Sequence, residues 1–312
     1  MGLRAVFLGT PPFAVPSLQA MVEAGHSLLA VYTQPDRPKG RGQDLAMSAV
    51  KTAALTLGIE VRQPERIRRP EIVEELRAFK PDIMVVVGYG QIIPQNIIDI
   101  PRFGIVNVHG SLLPKYRGAA PIQWAIAHGE HTTGVTTMQI DAGLDTGGML
   151  LKSAIEIGLE ENAVELGGRL ATLGASLLIE TIAGLENGTV TAIPQDAREA
   201  THAPILNKND GAIDWSWPAT VIHNRTRGLY PWPGTATQFR GQTLRLSKTR
   251  VVGEGTDKEP GRVIGAKGAL RIACGQSTVL ELVEVQQEGR KLVSGIDLRN
   301  GLRIADNEVL GD

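Results

Sequence analysis

The five residues Ile83-Met84-Val85-Val86-Val87 are apolar without interruption and mostly β-branched. A strand with one face in water alternates polar and apolar positions. A strand that is apolar throughout is covered on both faces, as in a parallel sheet flanked by helices. Other short apolar runs fall at 4–8, 28–33, 104–109, 134–140 and 149–155, and helical patterns lie between them at 15–24, 46–57, 70–79 and 120–128. This alternation specifies βαβ units and an open, twisted, mostly parallel α/β sheet. Leu166, Leu170, Leu173 and Leu177 then set one apolar stripe on a longer helix, which Asn187-Gly188 ends.

The pattern changes after that helix. Residues 189–209 lose periodicity and read as a linker. From 210 onward, short β-rich segments punctuated by glycine suggest a small antiparallel barrel. The expected division is 1–188, 189–209 and 210–312. At 312 residues, 42% hydrophobic and 21% charged, the chain can bury two ordinary cores. The single cysteine, Cys274, excludes an internal disulfide and suits a reducing compartment. The apolar run at the amino terminus is too short for a signal peptide, and no apolar stretch approaches the roughly 20 residues that span a bilayer. Cytoplasm is the expected location.

Chemistry is concentrated in Ile105-Val106-Asn107-Val108-His109-Gly110. Side chains two apart in a strand share a face, so Asn107 and His109 project together, roughly 7 Å apart along the backbone. Gly110 ends the strand and places both at its carboxyl edge, where ligands bind in open α/β sheets. Either residue alone could be a satisfied polar group or a cap. Two together in a β-branched strand each need a buried partner. A second polar cluster, Asp141-Ala142-Gly143-Leu144-Asp145-Thr146-Gly147-Gly148, is a glycine-rich loop with two carboxylates. Either could serve only to hold the turn.

The run Asn107-Val108-His109-Gly110-Ser111-Leu112-Leu113-Pro114-Lys115-Tyr116-Arg117-Gly118-Ala119-Ala120-Pro121-Ile122, with Gly143-Leu144-Asp145-Thr146-Gly147 downstream, resembles the formyltransferases that use 10-formyltetrahydrofolate. The segments 7–11, 33–42 and 213–215 narrow the likeness to the members acting on initiator methionyl-tRNA. The resemblance implies a Rossmann-like catalytic domain (the formyltransferase fold) followed by an OB-like antiparallel β-barrel that binds tRNA. It further implies that Asn107 and a protonated His109 donate to the oxyanion of a tetrahedral intermediate, with Asp145 orienting the imidazole. Ser111, Leu112, Leu113 and Pro114 would line the folate pocket. The implied co-substrate is 10-formyltetrahydrofolate, with no metal, nicotinamide or flavin, and the chain is expected to act as a monomer with no membrane attachment.

Other signals are set aside. Gly9-Thr10-Pro11-Pro12 lacks two glycines of the dinucleotide fingerprint. His128 and His131 have no visible third metal ligand. Cys274 has no evident base, and Ser111 lacks a nucleophile elbow.

Charge is uneven along the chain. Residues 208–312 hold 15 basic and 12 acidic side chains, against 17 and 21 in the remainder. From Trp215 to Gly253 there is no acid, while Arg225, Arg227, Arg240, Arg245, Lys248 and Arg250 interleave with Trp215, Trp217, Tyr230, Trp232 and Phe239. A basic strip with aromatics is a candidate tRNA surface, with Arg245 and Lys248 as contacts. The aromatics could equally be core and the basic residues a solvated face. The loop Arg37-Pro38-Lys39-Gly40-Arg41-Gly42 is a second basic element, which the family uses at the tRNA acceptor end. Gln43-Asp44 follows where the family pattern continues with lysines, which lowers its expected charge. The alternatives are a folate-dependent formyltransferase acting on a small amine or amino sugar nucleotide, a formyltetrahydrofolate hydrolase, and a non-catalytic RNA-binding module.

Overall fold

The computed structural model describes residues 2–39, 44–253, 255–265, 268–306 and 308–311. They form two compact units whose boundaries do not follow chain order. The first comprises Met1–Gly118, Thr133–Ile155 and Gly167–His202; the second comprises Ala119–Thr132, Glu156–Leu166 and Ala203–Asp312. The division expected from the sequence was contiguous. Periodicity reveals elements but not which elements pack together, and that packing draws the segment 119–132 into the second unit.

The first unit is built on a seven-stranded sheet ordered Met149–Glu156, Thr132–Gln139, Ile105–His109, Ile83–Val87, Arg4–Gly9, Ser27–Tyr32 and Val61–Arg62. The pairings of Ile83–Val87 with Arg4–Gly9 and with Ile105–His109 are parallel, whereas Ile105–His109 pairs antiparallel with Thr132–Gln139. The mostly parallel sheet expected from the apolar runs is therefore present, and Ile83–Val87 is buried at all five positions.

The helix Ala163–Glu186 corrects one expectation. Over 24 residues it is long and apolar enough, by length and composition, to cross a membrane. Arg169 and Glu180 interrupt the apolar run in the sequence. Half of that apolar window is buried inside the protein, with Leu170, Leu178 and Ile182 fully covered and Gly174 seated against Val108 and Val135. This is the burial of a core helix.

The second unit contains an antiparallel sheet ordered Thr235–Phe239, Gln242–Val252, Thr278–Gln287, Arg271–Cys274 and Val263–Ile264, with Val293–Ser294 beside Thr278–Gln287. Its apolar core gathers Trp215, Phe239, Leu244, Leu246, Ile272 and Leu280, among others. The helices Pro121–Ala127 and Ala219–Gly228 meet at Gly228, where a Cβ would come within 2.7 Å of the Ala127 nitrogen.

In this unit His223 is buried, its Nδ1 3.1 Å from the Thr249 hydroxyl. Burial lowers its pKa, and burial shifts His26 and His128 in the same direction. The folded state thus favours the neutral rings and binds fewer protons than the unfolded chain once pH falls below about 6.5. Stability present above that pH is lost as pH drops. The melting temperature is expected to fall between pH 7 and pH 5, with a shallower slope in His223→Gln. A flat profile over that interval would contradict the assignment.

Candidate active site

Asn107 and His109 lie on the strand whose other residues, Ile105, Val106 and Val108, are core. Register puts Asn107 beside Val86 on one side and Met138 on the other, and His109 beside Thr136. Both polar side chains are nearly enclosed, at 8% and 5% exposure. Their hydrogen bonding differs. Among the described residues, the Asn107 amide has no partner within the protein. His109 is held on both edges: Nε2 lies 2.9 Å from the Tyr116 carbonyl, and Nδ1 faces Asp145 Oδ2 at 3.6 Å. A carbonyl can only accept, so Nε2 carries the proton. Nδ1 is left toward the carboxylate at a distance too long for a hydrogen bond.

The glycine-rich loop divides its two carboxylates between separate tasks. Asp141 Oδ1 accepts from the Gly143 N–H at 3.0 Å and from the Thr146 hydroxyl at 2.7 Å, which holds the turn. Asp145 faces His109, and its Oδ2 accepts from the Gly118 N–H at 2.8 Å. It does so from left-handed backbone, φ +52°, which is uncommon for a residue with a side chain. Gly147 admits nothing larger, because a Cβ there would run into the Gln139 carbonyl.

Sequence reading missed Gln195. It lies in the aperiodic stretch taken as a linker, yet its Nε2 donates to the carbonyls of both Asp145 and Gly147 at 2.8 Å. Its Oε1 accepts from Arg117 Nε at 2.9 Å. No local pattern announces such a residue. With only a 3-10 turn at Ala197–Glu199 and no α-helix or long strand over 189–202, the side chain is free to reach back.

The turn 111–114 is a scaffold. Ser111 is fully buried, its hydroxyl donating to the Lys115 carbonyl at 2.6 Å. The Thr136 hydroxyl bridges the Ser111 carbonyl and the Leu113 N–H at 2.8 and 3.0 Å, and Lys152 Nζ donates to the Leu113 carbonyl at 2.5 Å. Of Ser111, Leu112, Leu113 and Pro114, only Leu112 keeps partial exposure.

The basic elements are more mixed than the sequence suggested. In the strip from 215 to 253, the acids that the sequence lacks locally arrive from other segments. Arg240 pairs with Glu308 and Arg250 with Glu281, at 2.8 and 2.6 Å. Arg225 stacks on Trp217, its centre 5.0 Å from the ring, and Arg227 donates to the carbonyls of Gly158 and Glu161. Trp215 and Phe239 are core, whereas Tyr230 and Trp232 are exposed. Arg245 and Lys248 are exposed and make no ion pair among the described residues. Register shifts on either side of Lys248 bring both to the solvent face of one strand. Arg37 is exposed on the hairpin Arg37–Lys39/Asp44–Ala46. Arg41 lies outside the described residues, as does the Lys39 side chain. The hairpin is rooted by Asp36, which meets Lys51 at 2.5 Å and Gln63 at 2.8 Å.

Cys274 is buried, which pushes its thiol pKa up to about 12, so it is packed rather than reactive. Among the described residues no group of three His, Cys, Asp or Glu side chains could hold a metal ion.

An open α/β sheet bearing an amide, an imidazole and a carboxylate at one strand end fits the family models that match this chain: formyl transferase over residues 3–182 and formyl transferase, C-terminal domain, over residues 205–303. A methionyl-tRNA formyltransferase of Solibacter usitatus is 61% identical over 310 residues, covering 99% of both chains. One of Koribacter versatilis is 54% identical over 307 residues, covering 98% of both. The chain belongs to the methionyl-tRNA formyltransferase family. In fold it is similar to an N-formyltransferase of Helicobacter canadensis solved with folinic acid and dTDP-3-aminofucose, with TM-score 0.67 and 18% identity over 90% of this chain and 99% of that one.

Proposed function

We propose that this chain transfers a formyl group from 10-formyltetrahydrofolate to the free amine of the methionyl group on initiator methionyl-tRNA, giving N-formylmethionyl-tRNA for translation initiation in the cytoplasm. One observation carries the reading. The unclaimed Asn107 amide lies on the same strand face as His109, which is fixed between Tyr116 and Asp145. The full-length likeness to relatives named methionyl-tRNA formyltransferase supplies the acceptor.

As the amine bonds to the formyl carbon, negative charge develops on the formyl oxygen. Asn107 offers that oxygen a preorganised N–H donor. Asp145 faces Nδ1 of His109, the ring nitrogen that Tyr116 does not engage, and orients the imidazole beside the reacting amine. A protonated imidazole so oriented would add positive charge beside the developing oxyanion. Asp145 takes the proton that the amine loses and gives it up again as the departing folate nitrogen gains one with the breaking of its bond to the formyl carbon, so that one proton moves in net from amine to folate. The transfer changes no oxidation state and needs no metal, nicotinamide or flavin. The folate is proposed to lie against the turn of Ser111, Leu112, Leu113 and Pro114, which the hydrogen bonds from Thr136 and Lys152 hold in shape.

In this reading the unit that holds Asn107, His109 and Asp145 supplies the chemistry and 210–312 a tRNA-binding domain, in a monomer without membrane attachment. Arg37, Lys39 and Arg41 meet the acceptor end, and Arg245 and Lys248 face phosphates. The deciding assay offers 10-formyltetrahydrofolate together with charged initiator tRNA, free small amines or an amino sugar nucleotide. Turnover is expected on the tRNA. Turnover on the amino sugar nucleotide alone would replace the reading. Changing Arg37, Lys39 and Arg41 together to Ala is expected to raise the tRNA KM by about tenfold at moderate salt while leaving the folate KM within about twofold. An unchanged tRNA KM would remove the hairpin from the interface.

A further inference from the structure

Asp145 occupies left-handed backbone within a loop that three glycines loosen, Gly143, Gly147 and Gly148. Left alone, such a loop would sample many conformations and carry its carboxylate with it. Asp141 holds its first turn, and what restrains the part that carries Asp145 is a three-way junction. The Gln195 amide bridges the carbonyls of Asp145 and Gly147, both at 2.8 Å, while its oxygen accepts from Arg117 Nε at 2.9 Å. Arg117 is itself buried, and its N–H donates to the Thr201 carbonyl at 2.9 Å. The next residue, Gly118, donates its N–H to Asp145 Oδ2. One side chain thereby ties together the loop that carries the carboxylate and the segment that hydrogen-bonds it.

From this geometry we infer that Gln195 is a positioning residue for formyl transfer, setting the Asp145 carboxylate against His109 Nδ1 without touching substrate. The inference rests on the proposed role of Asp145. Two features make it specific. A glutamine amide can donate to two carbonyls and accept from an arginine at once; no acid, hydroxyl or shorter amide at this position does all three. In addition, Gln195 lies between the stretches matched by the two family models, which end at 182 and resume at 205. A short segment outside both models therefore holds a carboxylate that lies within the first.

The test is a double-mutant cycle on the full-length enzyme with Gln195→Ala, Asp145→Asn and the double variant. It reads kcat, the two KM values, the pH–rate profile and the melting temperature. Gln195→Ala is expected to lower kcat about 10- to 100-fold, in line with a displaced catalytic group. Both KM values are expected to stay within about twofold, and the limb of the pH profile set by the His109–Asp145 pair is expected to move. In the Asp145→Asn background the same change should cost little. Gln195→Glu keeps the acceptor for Arg117 but turns a carboxylate toward two carbonyls, so it should not restore turnover. Three outcomes overturn the inference. A silent Gln195→Ala beside a damaging Asp145→Asn removes Gln195 and leaves the reading of Asp145 intact. Equal cost of Gln195→Ala in both backgrounds shows that it acts elsewhere. A silent Asp145→Asn removes both.

Discussion

Asn107→Ala is expected to lower kcat by about 100- to 1000-fold, the effect of deleting one preorganised donor to a developing oxyanion and equivalent to about 3–4 kcal/mol of barrier. The structure also makes this a clean experiment. The Asn107 amide has no partner in the protein among the described residues, so its removal orphans no buried group. Melting temperature and both KM values should therefore stay close to wild type while single-turnover rates fall. Asn107→Asp should be at least as damaging, since it sets an anion where negative charge must grow. A loss of less than about fivefold in Asn107→Ala would show that the oxygen is stabilised by some other group, and the donor role would fall.

His109 should yield a loss of similar or greater size, with a different signature. His109→Ala is expected to abolish measurable formyl transfer, a drop of about 100- to 10,000-fold for losing a positioned acid–base group. Here folding does not escape entirely. The Tyr116 carbonyl loses its 2.9 Å partner, at a cost of about 1–3 kcal/mol for an orphaned buried acceptor. His109→Gln separates the two effects. Its amide can still donate to Tyr116, but it cannot carry a titrating proton opposite Asp145. Near-normal stability with absent turnover is the expected result, and tRNA binding should be retained in both variants. Wild-type-like turnover in His109→Gln would remove the imidazole from the mechanism.

Much of this was legible in the sequence because it is encoded locally. Ile83–Val87 reads as a doubly covered strand, since burial on both faces excludes polar residues from every position. Asn107 and His109 were visible as exceptions to the same rule on the neighbouring strand. The choice between Asp141 and Asp145 is not visible in the local pattern, and only the resemblance makes it. It depends on which carboxylate finds its own turn and which finds Gly118, 27 residues away. Gln195 was illegible for the same reason, with its bonds spanning 48 to 78 residues. Charge counted along the chain does not show which acids meet the basic strip in space. Glu308 pairs with Arg240 and Glu281 with Arg250, leaving Arg245 and Lys248 exposed without an ion pair among the described residues.

The contact between His109 and Tyr116 has a consequence for how this site can change over time. The group that fixes the imidazole tautomer is a main-chain carbonyl, so no exchange of the Tyr116 side chain can delete it. What sets that carbonyl's direction is the course of the chain through 116–117, pinned by the Tyr116 and Arg117 N–H groups to the hydroxyl and carbonyl of Thr201. Tautomer control is thus written into the path of the backbone rather than into a replaceable residue. Single substitutions can weaken it only indirectly, and a lineage that altered the acceptor would inherit the same proton placement unless it rebuilt the turn.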